Sequence, residues 1–363
     1  MRFSFPLDRS LLSPPGDTIQ ETIDALGMTQ AELAQRMGRP KEKINELIKG
    51  KAPLSMDTAI MLERVLGASV SFWIKRESAY REILARIDEK EALERNLVWL
   101  DQFPLKAMHA RNILSTAQKS VETLRELMVF FGFASPAQWN DYYLNTAGEV
   151  SFRISLKNTP NPGAIAVWLR IGEKEARALP MPAYNEKGFR AAMKDFRAIA
   201  KEQADDFLIQ MQSLAAKNGV ALVFTPSFPK VRISGAARWV GATPLIQLSD
   251  LYKTNDQFWF SFFHEACHIL EHGKKEVFLE QLEGAEYNEN KEKEADNFAA
   301  NMLIPSLSYE RWKLGVTFFG DKIIRQFAQE IGIHPGIVVG RLQFDQLLKP
   351  AFHNDLKQAI RFD

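Results

Sequence analysis

Cysteine is almost absent: Cys267 stands alone in 363 residues. That excludes an intramolecular disulfide framework and points to a reducing compartment. An excess of one charge is also missing. Forty-six Lys and Arg balance 45 Asp and Glu for a formal net charge of +1, so any nucleic-acid binding has to come from a local basic patch. No apolar run approaches the roughly 20 residues that span a bilayer. The opening MRFSFPLDRSLLSPPG has no charged n-region followed by a sustained apolar core, so a membrane protein or a secreted one is disfavoured and a cytoplasmic location is expected. The longest aromatic run, Phe258 to Phe263, stops at His264 and reads as the entry to a core helix. What is present, 46% hydrophobic and 25% charged residues, suffices for a sizeable core, and the length suggests two or three domains.

Near the N-terminus, Ile19, Ile23 and Leu26 recur at helical spacing until Gly27 closes the turn. Thr29 and Glu32 occupy capping-box positions for a second helix, whose apolar face is Leu33, Ala34 and Met37 and whose stop is Gly38. Pro40 suits the first turn of a third helix, with Ile44, Leu47 and Ile48 buried before Gly50. Two short helices around a glycine turn make a helix-turn-helix. On the outer face Arg39, Lys41 and Lys43 offer cations for phosphates, Asn45 offers a side chain able to read a base edge, and Lys49 and Lys51 extend the strip. The DNA-facing set is taken as Gln30, Arg39, Lys41, Lys43, Asn45 and Lys49. Against this stands an ordinary solvated hairpin, since Glu42 and Glu46 share the face. Residues 16–82, including the Gly50-Lys51 pair and the Phe72-Trp73 pair, resemble the helix-turn-helix of HigA-type antitoxins in the wider XRE repressor family. The resemblance implies a homodimer on a palindromic operator and self-regulated transcription.

Residues 76–130 alternate charged and apolar positions at helical spacing, with Pro104 the one clear interruption, and read as several helices. Asn158 to Gly163 reads as a loop, and the following AIAVWLRIGEKEA as either a strand leading into a helix or one helix. The segment Trp168 to Ala176 is similar to one in chains that join such a helix-turn-helix to a metallopeptidase, which implies a connecting or sensing region; a plain spacer fits as well.

The most informative residues are His264, Glu265 and His268, an H-E-x-x-H in an apolar helical stretch. Positions four apart share a face, so both histidines can reach one Zn²⁺ while Glu265, turned aside, reaches a water on it as general base. A third ligand has to come from elsewhere. In NKEKEADNFAANMLIP both Glu292 and Glu294 fit the spacing, and Asp296 can orient a ligand histidine. The E-x-x-x-D of Glu292 and Asp296 resembles the third-ligand helix of thermolysin-like zincins, in which the first acid binds and the last supports. Cys267 reads as packing, His272 as either a substrate contact or a supporting residue, and His109, His334 and His353 have no supporting context. Tyr252, Tyr287 and Tyr309 are equal candidates for an oxyanion donor.

As a block, residues 200–305 resemble the ImmA/IrrE metallopeptidases: a helix to about Asn218, then GVALVFTP, TPLIQLSD, FSFFHEACHILEHG and EKEADNFAANMLIP. That resemblance implies a small zincin with a short mixed sheet, an edge strand at Leu245 to Leu248 that holds substrate backbone, and limited cleavage of a repressor, toxin or related regulator. The chain departs from the family's usual arrangement by carrying its own helix-turn-helix. Near the end, IIRQFAQEIGIHPGIVVGRLQ has helix-turn-helix spacing around Gly332, with Arg341 on the following helix. A hairpin capping the peptidase core is the commoner use of such a pair. The expected fold is mainly α with a small mixed sheet (α+β): a helix-turn-helix domain over 1–82, a helical connecting region over 83–197, a zincin-like domain over 198–320 and a helical hairpin over 321–363. The competing functional reading is a HigA-like transcription factor or antitoxin whose zincin domain binds or senses without catalysis.

Overall fold

Caps and glycine stops fix the first helices. The computed structural model describes residues 9–144, 156, 159–273, 278–279 and 289–362. It divides into two compact units, one running to Val98 and including Lys119–Leu124, the other made of Trp99–Gln118 and Arg125–Asp363. In the first, α1 (Pro15–Ala25), α2 (Gln30–Met37), α3 (Lys41–Ile48), α4 (Met56–Leu66) and α5 (Val70–Glu94) enclose a core that includes Ile19, Ile23, Leu33, Ile44, Leu62 and Trp73. Thr29 Oγ1 accepts the Glu32 amide at the start of α2, and Gly38 ends that helix at φ 61°, a left-handed conformation that costs glycine little. Leu26 does not join the buried face. It caps α1 and is 56% exposed, because the chain turns there and Met28 fills the core position instead. Gly16, silent in the sequence, is needed for packing: a Cβ on it would lie 1.9 Å from the Ile48 carbonyl oxygen at the end of α3.

With no glycine or proline to stop it, α5 runs 25 residues. The boundary expected at 82/83 therefore falls inside a helix. Arg81 of α5 donates to the carbonyls of Gly50 and Ala52 while pairing with Glu77, which pins the turn that follows α3.

The second unit begins with α6 (Leu105–Ala110), the later part of α7 (Val121–Phe131) and α8 (Pro136–Tyr143). Their nucleus is aromatic: Trp139 meets Trp99, Phe103 and Phe131 edge-on at 5.2–5.7 Å, the arrangement ring quadrupoles favour. The ambiguous AIAVWLRIGEKEA is one helix, α9 (Pro162–Ala178), started by Pro162 in its first turn. Next come α10 (Glu186–Glu202), which runs through the expected 197/198 boundary, and α11 (Phe207–Lys217).

A four-stranded sheet follows, with β1 (Ala221–Phe224), β2 (Gly235–Val240), β3 (Thr243–Leu248) and β4 (Phe278–Leu279) in the order β1-β3-β2-β4. It is mixed: β1 runs parallel to β3, whereas β2 is antiparallel to both β3 and β4. Leu245 to Leu248 are thus interior, not an edge strand. The SGAARWV stretch folds back on β3 through Gly241 and Ala242 and takes up one side of it, with Gly241 at φ 65° in the hairpin turn. Period-two alternation divides the faces. Ala221, Val223 and Leu245 pack with Ala176 of α9, while Leu222, Ile246 and Leu248 enter the main core.

That core is shared by α12 (Asn255–Glu271), α13 (Glu289–Leu303), α14 (Ser306–Leu314), α15 (Asp321–Ile331) and α16 (Pro335–Phe344). The last two form a hairpin whose Ile324, Phe327, Val338 and Leu342 are buried in it. Arg341 is held by Asp345 and stacks over Tyr309, so this hairpin serves packing. No described helix is long and apolar enough to cross a membrane.

Candidate metal centre

The H-E-x-x-H lies on α12, which is buried nearly all round because Phe258, Trp259, Phe262 and Phe263 fill its turns. A helix that is apolar on every side belongs in a core, and it carries His264, Glu265 and His268 inside with it, each no more than 2% exposed. The neighbouring α13 brings up its acids. His264 Nε2 lies 3.1 Å from a Glu292 oxygen, His268 Nε2 lies 3.6 Å from the other, and the two Nε2 atoms are 3.0 Å apart. Among the described residues these three side chains form a group able to hold a metal ion.

The donor chemistry fits a cation. Asp296 Oδ1 sits 3.0 Å from His264 Nδ1, and a carboxylate there holds the proton on Nδ1 and leaves Nε2 with its lone pair. His268 Nδ1 is likewise bonded to His272 Nδ1 at 2.8 Å. Burial, followed by the neighbouring His264, His272 and Lys291, pushes His268 down to about 2, so it is neutral at any ordinary pH. Two neutral imidazoles with lone pairs 3.0 Å apart repel unless something positive lies between them. The separations of 3.0–3.6 Å bracket the roughly 3.3 Å edge of a tetrahedron with bonds of 2.0–2.1 Å.

The geometry separates the two acids that spacing alone could not. Glu292 faces both histidines, whereas Glu294 Oε2 lies 3.2 Å from His272 Nε2. His272 is placed behind His268 and is not aimed at the Glu292 side. Cys267 is buried, its thiol pushed up to about 12 by burial, and it is not part of the group. Glu265 is fully buried beside β2: a Cβ on Gly235 would come within 2.7 Å of its Oε1. That strand glycine, and Phe278 of β4 stacked on His268 at 3.8 Å, are functional neighbours that sequence reasoning missed. The Gly-Ala turn flanked by apolar strands was a readable signal for β2; nothing local signals Phe278.

Of the oxyanion candidates, Tyr309 is buried with its hydroxyl donating to Asp345 at 2.8 Å, which removes it. Tyr287 lies outside the described residues. His109 and His334 have local bonds, to the Leu114 carbonyl and as the cap of α16.

In the first unit Arg39, Lys41 and Lys49 are exposed around α3, and Asn45 is half-buried. Lys43 is exposed but pairs with Glu46 at 2.9 Å, and Gln30 donates to Gln20 at 2.6 Å.

Against known proteins, the IrrE N-terminal-like peptidase domain matches residues 209–311 and a helix-turn-helix domain matches residues 19–73. An uncharacterized HTH-type transcriptional regulator of Escherichia coli, YddM, is 36% identical over 66 residues, which are 18% of this chain and 70% of that protein. Virulence-associated protein I of Dichelobacter nodosus is 26% identical over 77 residues, 21% of this chain and 71% of that one. Both likenesses cover about a fifth of this chain, so its identity rests on two separate matches. The chain belongs to the XRE-type helix-turn-helix regulators through its N-terminal domain and carries an IrrE N-terminal-like peptidase domain behind it.

Proposed function

We propose that this protein is a cytoplasmic DNA-binding transcriptional regulator with a zinc-dependent endopeptidase domain, one that cuts a repressor, toxin or related regulator at limited sites. The observation that carries the reading is the meeting of His264 Nε2, His268 Nε2 and Glu292 beside the buried Glu265. Bound by those three, zinc supplies a Lewis acid for a peptide carbonyl and acidity for a water. Glu265 takes that water's proton as general base and returns it to the departing amine. Asp296 and His272 act from behind, each fixing which nitrogen of its histidine faces the centre. Substrate backbone is expected beside β4, the terminal strand of the described sheet. Gln30, Arg39, Lys41, Lys43, Asn45 and Lys49 meet the operator, with two copies of the chain on a palindromic site.

Elemental analysis after mild dialysis tests the centre. About one zinc per wild-type chain is expected, falling sharply in both His264→Ala and Glu292→Ala. No metal in the wild type even after zinc is resupplied would leave only the regulator. Comparing proteomes of cells carrying wild type or Glu265→Gln tests the peptidase; identical proteomes would favour a zincin domain that binds or senses without cutting.

A further inference from the structure

A cavity of about 470 Å³ lies between α12, α13, α16 and the segment after α16. Phe260, Ala300, Leu303, Ile337 and Phe344 give it apolar walls, and a polar corner is built from three side chains. Lys357 Nζ lies 2.7 Å from Asp256 Oδ2 and donates to Gln343 Oε1 at 2.7 Å. Close approach of α16 makes this corner possible, since a Cβ on Gly340 would sit 2.4 Å from Asp256 Oδ2. The other oxygen, Asp256 Oδ1, and Ser261 Oγ have no hydrogen-bond partner, although Asp256 is 7% and Ser261 3% exposed. Buried polar atoms are nearly always satisfied, so two orphans lining one cavity point to a missing partner.

We propose that this cavity binds a small amphipathic molecule with a flat apolar body and an N–H or O–H group that donates to Asp256 Oδ1, with Ser261 completing the contact. A charge on the ligand is not required, because Lys357 already balances Asp256. The volume is that of an ordinary small-molecule pocket. Resting on the metal reading above, the site is also an effector site. Phe260 and Asp296 line the cavity, and each touches His264: the Phe260 ring at 6.3 Å between centroids, Asp296 by its 3.0 Å hydrogen bond. An occupant therefore touches two side chains that position a metal ligand, and linkage makes the coupling reciprocal.

The test titrates full-length, zinc-loaded protein calorimetrically with three probes, indole, benzamide and adenosine, up to about 5 mM. At least one probe is expected to saturate on the wild type. Ala300→Leu, which fills the cavity, is expected to weaken it roughly tenfold, and Ser261→Ala roughly threefold, with metal content unchanged in both. No saturable binding would mean that water alone satisfies the two oxygens, and the proposal falls. Equal affinity in Ser261→Ala and a well-folded Ala300→Leu would place the probe elsewhere and overturn it too; circular dichroism checks the fold, and Ser261→Ala decides if Ala300→Leu is disrupted. Probe binding by a wild-type chain that holds no metal would uphold the cavity while the metal reading failed. Identical affinity in wild type and His264→Ala would overturn the effector role.

Discussion

On α3 the side chains proposed to meet DNA stand in solvent or half in it, and one cation, Lys43, is shared with Glu46. On α12 the side chains proposed to hold metal are sealed in the core, and each histidine has a partner on its far nitrogen. The difference is between placing charge and fixing geometry. Long flexible cations find phosphates from many positions, so an exposed helix tolerates exchange. A metal needs lone pairs converging to within tenths of an ångström, so the second helix depends on residues 20 and more positions away in sequence.

The comparison breaks most visibly at the centre itself. Glu265→Gln should keep zinc, by elemental analysis, while cleavage falls roughly 10²–10⁴-fold; equal loss of metal would make Glu265 a ligand instead of a base. Next in size, His272→Ala and Asp296→Ala should weaken zinc affinity about 10–100-fold in competition with a chelator, and an unchanged affinity would show that the histidines need no support. Gly235→Ala, which brings a methyl within 2.7 Å of Glu265 Oε1, should lower cleavage with zinc retained, a loss seen in kcat more than in metal content.

The acid side of the stability profile sharpens the same contrast. His268 has its folded value lowered from 6.5 to about 2. Between those values the unfolded chain binds more protons, so stability of metal-free protein is full above about pH 6.5 and falls as pH drops through the window. Urea unfolding from pH 7.5 to 5 should show this as a slope of at most about 1.4 kcal/mol per pH unit below 6.5, flattened in His268→Gln. The smallest effects belong to α3. Lys41→Ala and Lys49→Ala should each weaken operator binding uniformly across sequences and lower the salt slope by about 1, with Lys43→Ala doing less because Glu46 already holds that cation.

Periodicity and caps made the helices around the first core legible: Thr29, Glu32 and Gly38 mark α2, and Ile44 and Leu47 mark the inner face of α3. The same reading failed at Leu26, where the turn took the residue out of the core, and at Leu245 to Leu248, whose apolar run suits an edge strand and an interior strand alike. Pairing is a non-local property, and a period of two does not say who lies alongside.

By itself the sequence determined that two histidines four apart share a helical face, that acids follow about 25 residues later, and that the helix carrying the histidines is too apolar to lie outside a core. Only the tertiary structure decided that Glu292 turns to both histidines while Glu294 turns to His272, and that Gly235 leaves room for Glu265. Positions two apart on a helix point about 200° apart. Which of them meets α12 is therefore set by how α13 is rotated in the core, a rotation fixed by Ala295, Ala299 and Leu303 on its buried face.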